Sequence, residues 1–272
     1  MKKISILLCA LASLNAGAQN VKLNTGAQIT GNTKTTIDMD MGIGGQMKME
    51  SSATSVIHIT GMDDLSYKAD NTITKLKISE DGGGQNMSYD SENPADTASE
   101  QGREFGKTLN QPVAVLIDKT TGVVKDASPE KPVADDNDNP FAGLLQGSKS
   151  PGEAAAAAFF VLPAEIKPGY KWTDTTEENS LKSEKNYEVR SIKDGIAVIV
   201  VNAVTKGSIA KETQGMAFTI SLSGTSATTM TTNTLTGLVQ KTTTVGNMAG
   251  TMDIMGQSVP ISMTINSEAV FE

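Results

Sequence analysis

Few residues of this chain are equipped for chemistry. His58 is the sole histidine and Cys9 the sole cysteine among 272 residues. A metal centre or a nucleophile–base pair needs several convergent side chains. His58 sits in the strand-like Val56-Ile57-His58-Ile59, Cys9 lies in an N-terminal apolar run, and no Gly-x-Ser-x-Gly elbow occurs. The stretch Gly147-Ser-Lys-Ser-Pro-Gly152-Glu153-Ala154 has the glycine spacing of a phosphate loop. It puts Glu153 and Ala154 where Lys and Ser/Thr would hold phosphate and Mg²⁺. Asp135-Asp136-Asn137-Asp138-Asn139 suggests calcium. Counted from Asp136, however, Phe141 and Gly147 occupy the sixth and twelfth positions, where an EF-hand loop needs Gly and Glu. Asp63-Asp64 and Glu177-Glu178 are adjacent pairs, which a strand points to opposite faces. No catalytic, cofactor-binding or metal-binding residue is assigned, no cofactor is expected, and the chain reads as non-enzymatic.

Methionine carries the positive signal. Met39, Met41, Met47 and Met49 form one group; Met248, Met252, Met255 and Met263 form another. Methionine is flexible and polarisable and suits adaptable apolar surfaces. The expected lining for a lipid or other apolar ligand is Met39, Met41, Met47, Met49, Phe159, Phe160, Met252, Met255 and Met263, gathered by a curved sheet and a short helix. With one Trp and four Tyr, the chain is poorly supplied for a sugar-binding platform, and Trp172 is expected to pack. The alternative function is a structural or adhesive surface module, since residues 219–244 hold 11 Thr. Asp96-Thr97-Ala98 and Asp174-Thr175-Thr176 are similar to a short glycosylation acceptor pattern, which would modify Thr97 or Thr175.

The elements that must position these residues are mostly strands. Met216, Phe218, Ile220 and Leu222 share one parity against Ala217, Thr219, Ser221 and Ser223, the alternation of a half-buried strand. Val259, Ile261, Met263 and Ile265 alternate with Ser258, Pro260, Ser262 and Thr264; Pro260 calls for an edge or an unpaired position. Ile196–Val201 is a near-continuous apolar run, expected to be covered on both faces. Val56–Ile59, Ile73–Ile78 and Val113–Ile117 read as further strands. Asp81-Gly82-Gly83-Gly84, Thr121-Gly122, Asp194-Gly195 and Thr236-Gly237 read as hairpin turns. Two helices are expected, near 97–109 from a Thr97…Glu100 capping box and near 152–161 from Ser150-Pro151-Gly152-Glu153.

The fold class is therefore mainly β (α+β): curved antiparallel sheets with two short helices packed on them. Residues 1–18 combine Lys2-Lys3, an apolar run from Ile4 to Leu14 and Ala16-Gly17-Ala18, a secretory signal cleaved after Ala18. The mature chain is expected in the periplasm, on the outer membrane or outside the cell, without a transmembrane segment. A membrane barrel is disfavoured by 4% aromatics and by an ending in Phe271-Glu272. A net charge of -8 argues against nucleic acid. The expected division is an N-terminal lobe over 19–127, an acidic, Pro-rich linker over 128–149 and a C-terminal lobe over 150–272. Met39-Asp40-Met41-Gly42 resembles Met252-Asp253-Ile254-Met255-Gly256, and Thr121-Gly122-Val123-Val124 resembles Thr236-Gly237-Leu238-Val239, in reversed order. Two related lobes are the reading of that pattern. No protein partner is assigned.

Several short segments carry a resemblance: Met39–Gly42, Tyr89-Asp90-Ser91, Ile117-Asp-Lys-Thr-Thr-Gly-Val-Val124, Leu162-Pro163, Lys167-Pro-Gly-Tyr-Lys-Trp-Thr-Asp174 and Met255-Gly256-Gln257. In this order they resemble the domain-of-unknown-function family 6263, a group of exported bacterial proteins. The resemblance implies no activity and no functional residue.

Overall fold

The computed structural model describes residues 20–42, 45–82, 85–127, 155–178, 180–213, 216–254 and 257–272. The signal-like segment, the 128–149 linker, the phosphate-loop-like and calcium-like stretches and Met255 lie outside the described residues.

Among the described residues, twelve strands and two short helices follow in chain order. They are β1 (Gln28–Asp40), β2 (Gln46–Met62), β3 (Ser66–Gly82), β4 (Gln85–Asp90), α1 (Pro94–Ala98), α2 (Glu100–Gly106), β5 (Val113–Asp118) and β6 (Val124–Asp126), then β7 (Lys171–Glu178), β8 (Leu181–Lys193), β9 (Ile196–Thr213), β10 (Met216–Asn233), β11 (Val239–Ile254) and β12 (Gln257–Phe271). All join one curved, open antiparallel sheet in the order β6-β5-β3-β2-β1-β12-β11-β10-β9-β8-β7, with β4 on the far part of β3. Every expected strand lies inside one of these.

The sheet does not divide into two lobes. β1 pairs with β12 from Gly31↔Phe271 to Asp40↔Ser262, so the first and last described strands meet at the sheet's centre. Strands this long alternate between a buried and an exposed side, and one face carries the core. On that inner face Ile29, Ile57, Ile59, Tyr67, Val115, Ile117, Met230, Val239 and Phe271 pack at one end. Two segments cover them: residues 20–27 and residues 155–162. Tyr67 Oη accepts from the Leu23 N–H (3.1 Å) and donates to the Val21 carbonyl (3.3 Å). Val239 N–H donates to the Ala158 carbonyl, and Phe160 N–H to that of Gly237.

The local readings need several corrections. The helix expected from Thr97 starts earlier, at Pro94, with Asn93 as its cap: Asn93 Oδ1 accepts from the Ala95 N–H (3.1 Å). Thr97 Oγ1 instead donates to the Pro94 carbonyl, inside the first turn. Ser99 is extended, breaks the helix, and caps α2 by accepting from the Gly102 N–H (2.9 Å). The second expected helix, near 152–161, is only a single turn at residues 155–158 among the described residues. Phe159, whose N–H still donates to the Ala156 carbonyl, then forms a bridge with Leu238, and the flanking Ala158 carbonyl and Phe160 N–H bond to the sheet instead of extending the helix. Ile196–Val201 is buried on alternate residues only, Ala197, Ile199 and Val201. Pro260 faces Thr251 of β11 and lies beyond the last β1–β12 pair, so its missing donor costs no ladder bond there.

The inner face as a candidate functional site

The strand registers place four methionines in one row across the inner face: Met47 of β2, Met39 of β1, Met263 of β12 and Met248 of β11, ending at Gly224 of β10. The next row holds Met49, Ile37 and Ile265. The two methionine groups, far apart in sequence, thus form one cluster with Ile220, Leu222, Met252 and Ile261; Met41 is partly buried beside it. Met39, Met47, Met49, Met252 and Met263 are 8% exposed or less. They fill a core rather than line an open surface.

Phe159 and Phe160 are not with them. Phe159 packs beside Val21, Ala155 and Ala158 at the opposite end. The reason is strand length. Phe159 meets Leu238 at the start of β11, whereas Met248 is ten residues further along, about 33 Å at 3.3 Å per residue.

Between the two apolar ends the inner face changes character. One continuous row of paired residues crosses ten strands: Tyr89, Ile78, Ser51, Thr35, Ser267, Thr244, Thr228, Val201, Tyr187 and Trp172. Its middle is five hydroxyl residues, all half-buried. Thr35 and Ser267 share a hydrogen bond (3.1 Å), as do Thr228 and Thr244 (2.9 Å). Its ends are aromatic. Trp172 stacks on Tyr187 with ring centroids 4.7 Å apart and planes 6° apart, and Phe160 lies against both. Trp172 packs, as its sequence context suggested. At the other end Tyr89 contacts Phe105 of α2 at 4.8 Å. Burial pushes the phenol pKa of both Tyr89 and Tyr187 upward. Tyr89 is 1% exposed, and its Oη has no hydrogen-bond partner among the described residues. Sequence reasoning missed this row, because single Ser and Thr residues in five separate strands carry no local signal.

The outer face is polar. A shallow groove of about 860 Å³ crosses β2, β1, β12, β11 and β10 along the backbone of the methionine row. Its walls are outward residues of two flanking rows, among them Asp38, Lys48, Thr264, Asn247 and Thr225. This groove therefore runs behind the methionines rather than between them. His58 lies opposite Gln28 and Asp70 in the sheet. The Thr-rich stretch is divided between the faces: Thr225, Thr229 and Thr243 are exposed, while Thr228, Thr232 and Thr244 turn inward. Among the described residues no three His, Cys, Asp or Glu side chains converge, and no helix is long and apolar enough to cross a membrane.

The fold is similar to that of lipovitellin, with a TM-score of 0.50 and 12% identity over 92% of this chain. The chain spans 25% of the lipovitellin chain, so the likeness concerns one part of that larger protein. An outer membrane channel from Pseudomonas putida F1 aligns at a TM-score of 0.25 and 10% identity, over 94% of this chain and 98% of the channel. No curated protein matches the sequence. The segment containing β7 to β10 and the Phe159 bridge matches a family profile, in agreement with the resemblance read from the sequence. Residues 148–239 match the model of a family of unknown function, DUF6263.

Proposed function

We propose that this chain is a non-enzymatic protein, exported to the bacterial envelope, that binds an apolar or amphipathic ligand on the inner face of its sheet. The observation that carries the reading is the graded inner face. Buried apolar rows occupy both ends, and between them lies a stretch of small residues that the described side chains leave half-exposed. A monomeric sheet with no use for that stretch would fill it with larger apolar side chains, as it does at the ends. The methionines bordering it can repack around a guest at low cost. The lipovitellin structure, which shares the fold, is described in terms of lipid–protein interactions. That property belongs to lipovitellin and supports the present reading as an analogy of fold alone.

Native mass spectrometry of protein purified without detergent from its own cells tests this directly. The expected spectrum shows a chain beginning at Gln19 with a non-covalent adduct of a few hundred daltons, typical of a single lipid. Fluorescence of N-phenyl-1-naphthylamine is expected to rise when the stripped protein is added. A bare chain that leaves the dye dark overturns the proposal.

A further inference from the structure

The inner-face reading leaves the ligand's polarity open, and the central row decides it. Ser51, Thr35, Ser267, Thr244 and Thr228 stand side by side on five adjacent strands. At about 4.8 Å between strands the row is about 19 Å long. Each hydroxyl offers one donor and two acceptor positions, and the two internal bonds use only part of that capacity. The rows on either side, over the same five strands, are Ala53, Thr33, Ala269, Thr242, Met230 and Met49, Ile37, Ile265, Gly246, Ser226. None of these fifteen positions is charged. The first inward charges are Glu80 on β3, and Lys185 two strands beyond Ser226.

A second, independent observation lies in the same row. Tyr89, two strands beyond Ser51, is buried to 1% exposure, yet its hydroxyl has no partner among the described residues. A buried, unpaired hydroxyl is costly, so Tyr89 calls for a polar group beyond the described side chains. Hydroxyls without a neighbouring cation favour a neutral polar group. A buried carboxylate or phosphate would need a positive partner or several donors to offset its desolvation.

Resting on the proposal that the inner face holds an amphipathic molecule, we infer that the ligand is a neutral amphiphile. Its hydroxyl or ester group lies along the Ser/Thr row, and its hydrocarbon part runs toward the Met39–Met263 cluster. Ester carbonyls accept from the threonine hydroxyls, and ligand hydroxyls donate to them.

Two probes with one chain and different heads test this: monoolein, which is neutral, and oleate, which is anionic. Monoolein is expected to displace N-phenyl-1-naphthylamine from the stripped protein at least tenfold more tightly than oleate. Equal or tighter binding of oleate overturns the inference and leaves the inner-face reading standing. Binding of neither, with no dye uptake, overturns both. A Thr35→Val, Thr244→Val double variant keeps side-chain shape and strand preference and removes two hydroxyls. It is expected to lose about tenfold in monoolein affinity while binding the dye unchanged. Unchanged monoolein binding, or an equal loss for both probes, assigns these residues to packing and overturns the inference.

Discussion

Asp118 and Asn233 show how single residues shape this molecule. Each ends a strand and folds the next turn around its own side chain. Asp118 Oδ1 accepts from the N–H groups of Thr120 (2.9 Å) and Thr121 (2.8 Å). Asn233 Oδ1 accepts from those of Leu235 (2.9 Å) and Thr236 (3.1 Å). In both turns the glycine, Gly122 or Gly237, has a positive φ and donates back to the capping residue's carbonyl. The two turns flank Val21 and Val161, so the repeated Thr-Gly motif is one device used twice to hold the covering segments. Asp118 differs in being charged. Hydrogen bonds from the Thr120 hydroxyl, then from the Thr121 backbone and hydroxyl, lower its pKa from 3.8 to about 2. A lowered carboxylate pKa adds stability above the unfolded value, and that stability is lost as pH falls through the folded one. Asp118→Asn is therefore expected to melt slightly below the parent at pH 7. The gap should close as pH drops from about 4 to about 2, as followed by thermal circular dichroism. A gap that persists at pH 2 would assign the effect to something other than ionisation.

At the scale of elements, the strands hold the methionine end together by their row partners. Met39 touches both Met47 and Met263 in register, so it sits at the middle of the cluster. Met39→Ala or Met263→Ala should cost about 2–5 kcal/mol in urea unfolding, whereas Met39→Leu should cost under about 1.5 kcal/mol. Losses below 1 kcal/mol for both alanine variants would mean the cluster is loosely packed. Glycine has a separate part in the same region. Gly250 of β11 lies between Leu222 and Ile261, and a Cβ there would collide with the Ser221 carbonyl oxygen. Such glycines let neighbouring backbones approach where a sheet bends. Gly250→Ala is expected to destabilise by about 1–3 kcal/mol through overpacking, read by the same titration.

For the whole molecule, the central β1–β12 pairing joins the first described strand to the last. The core behind it draws on both halves: Ile29, Ile57 and Ile117 pack with Met230, Val239 and Phe271. A fragment covering residues 20–127 therefore loses the partner of β1 and half of its core. It should stay unfolded, with poor dispersion in its amide NMR spectrum, until residues 155–272 are supplied in trans. A fragment that folds cooperatively by itself would restore the two-lobe division. Non-local pairing of this kind also implies slow folding, since a large loop must close before the contacts form.

Much of the local architecture was legible in the residues themselves. Alternation in Met216–Ser223 and Ser258–Ile265 identified strands, with Ile220, Leu222, Ile261 and Met263 on the buried side, and Asp-Gly and Thr-Gly pairs located turns, because backbone preference and side-chain parity act over a few residues. The helix starts were less legible, since Asn93, Thr97 and Ser99 all suit a cap and only the neighbouring Asp90 and Asp96 bonds select among them. The methionine groups were visible as groups, but their union, and the exile of Phe159 to the other end, depended on register. Register arises between strands that are distant in the chain, as Thr35 and Ser267 are. Only the assembled sheet could set scattered serines and threonines in one uncharged row, because no short stretch of sequence contains two neighbours of that row.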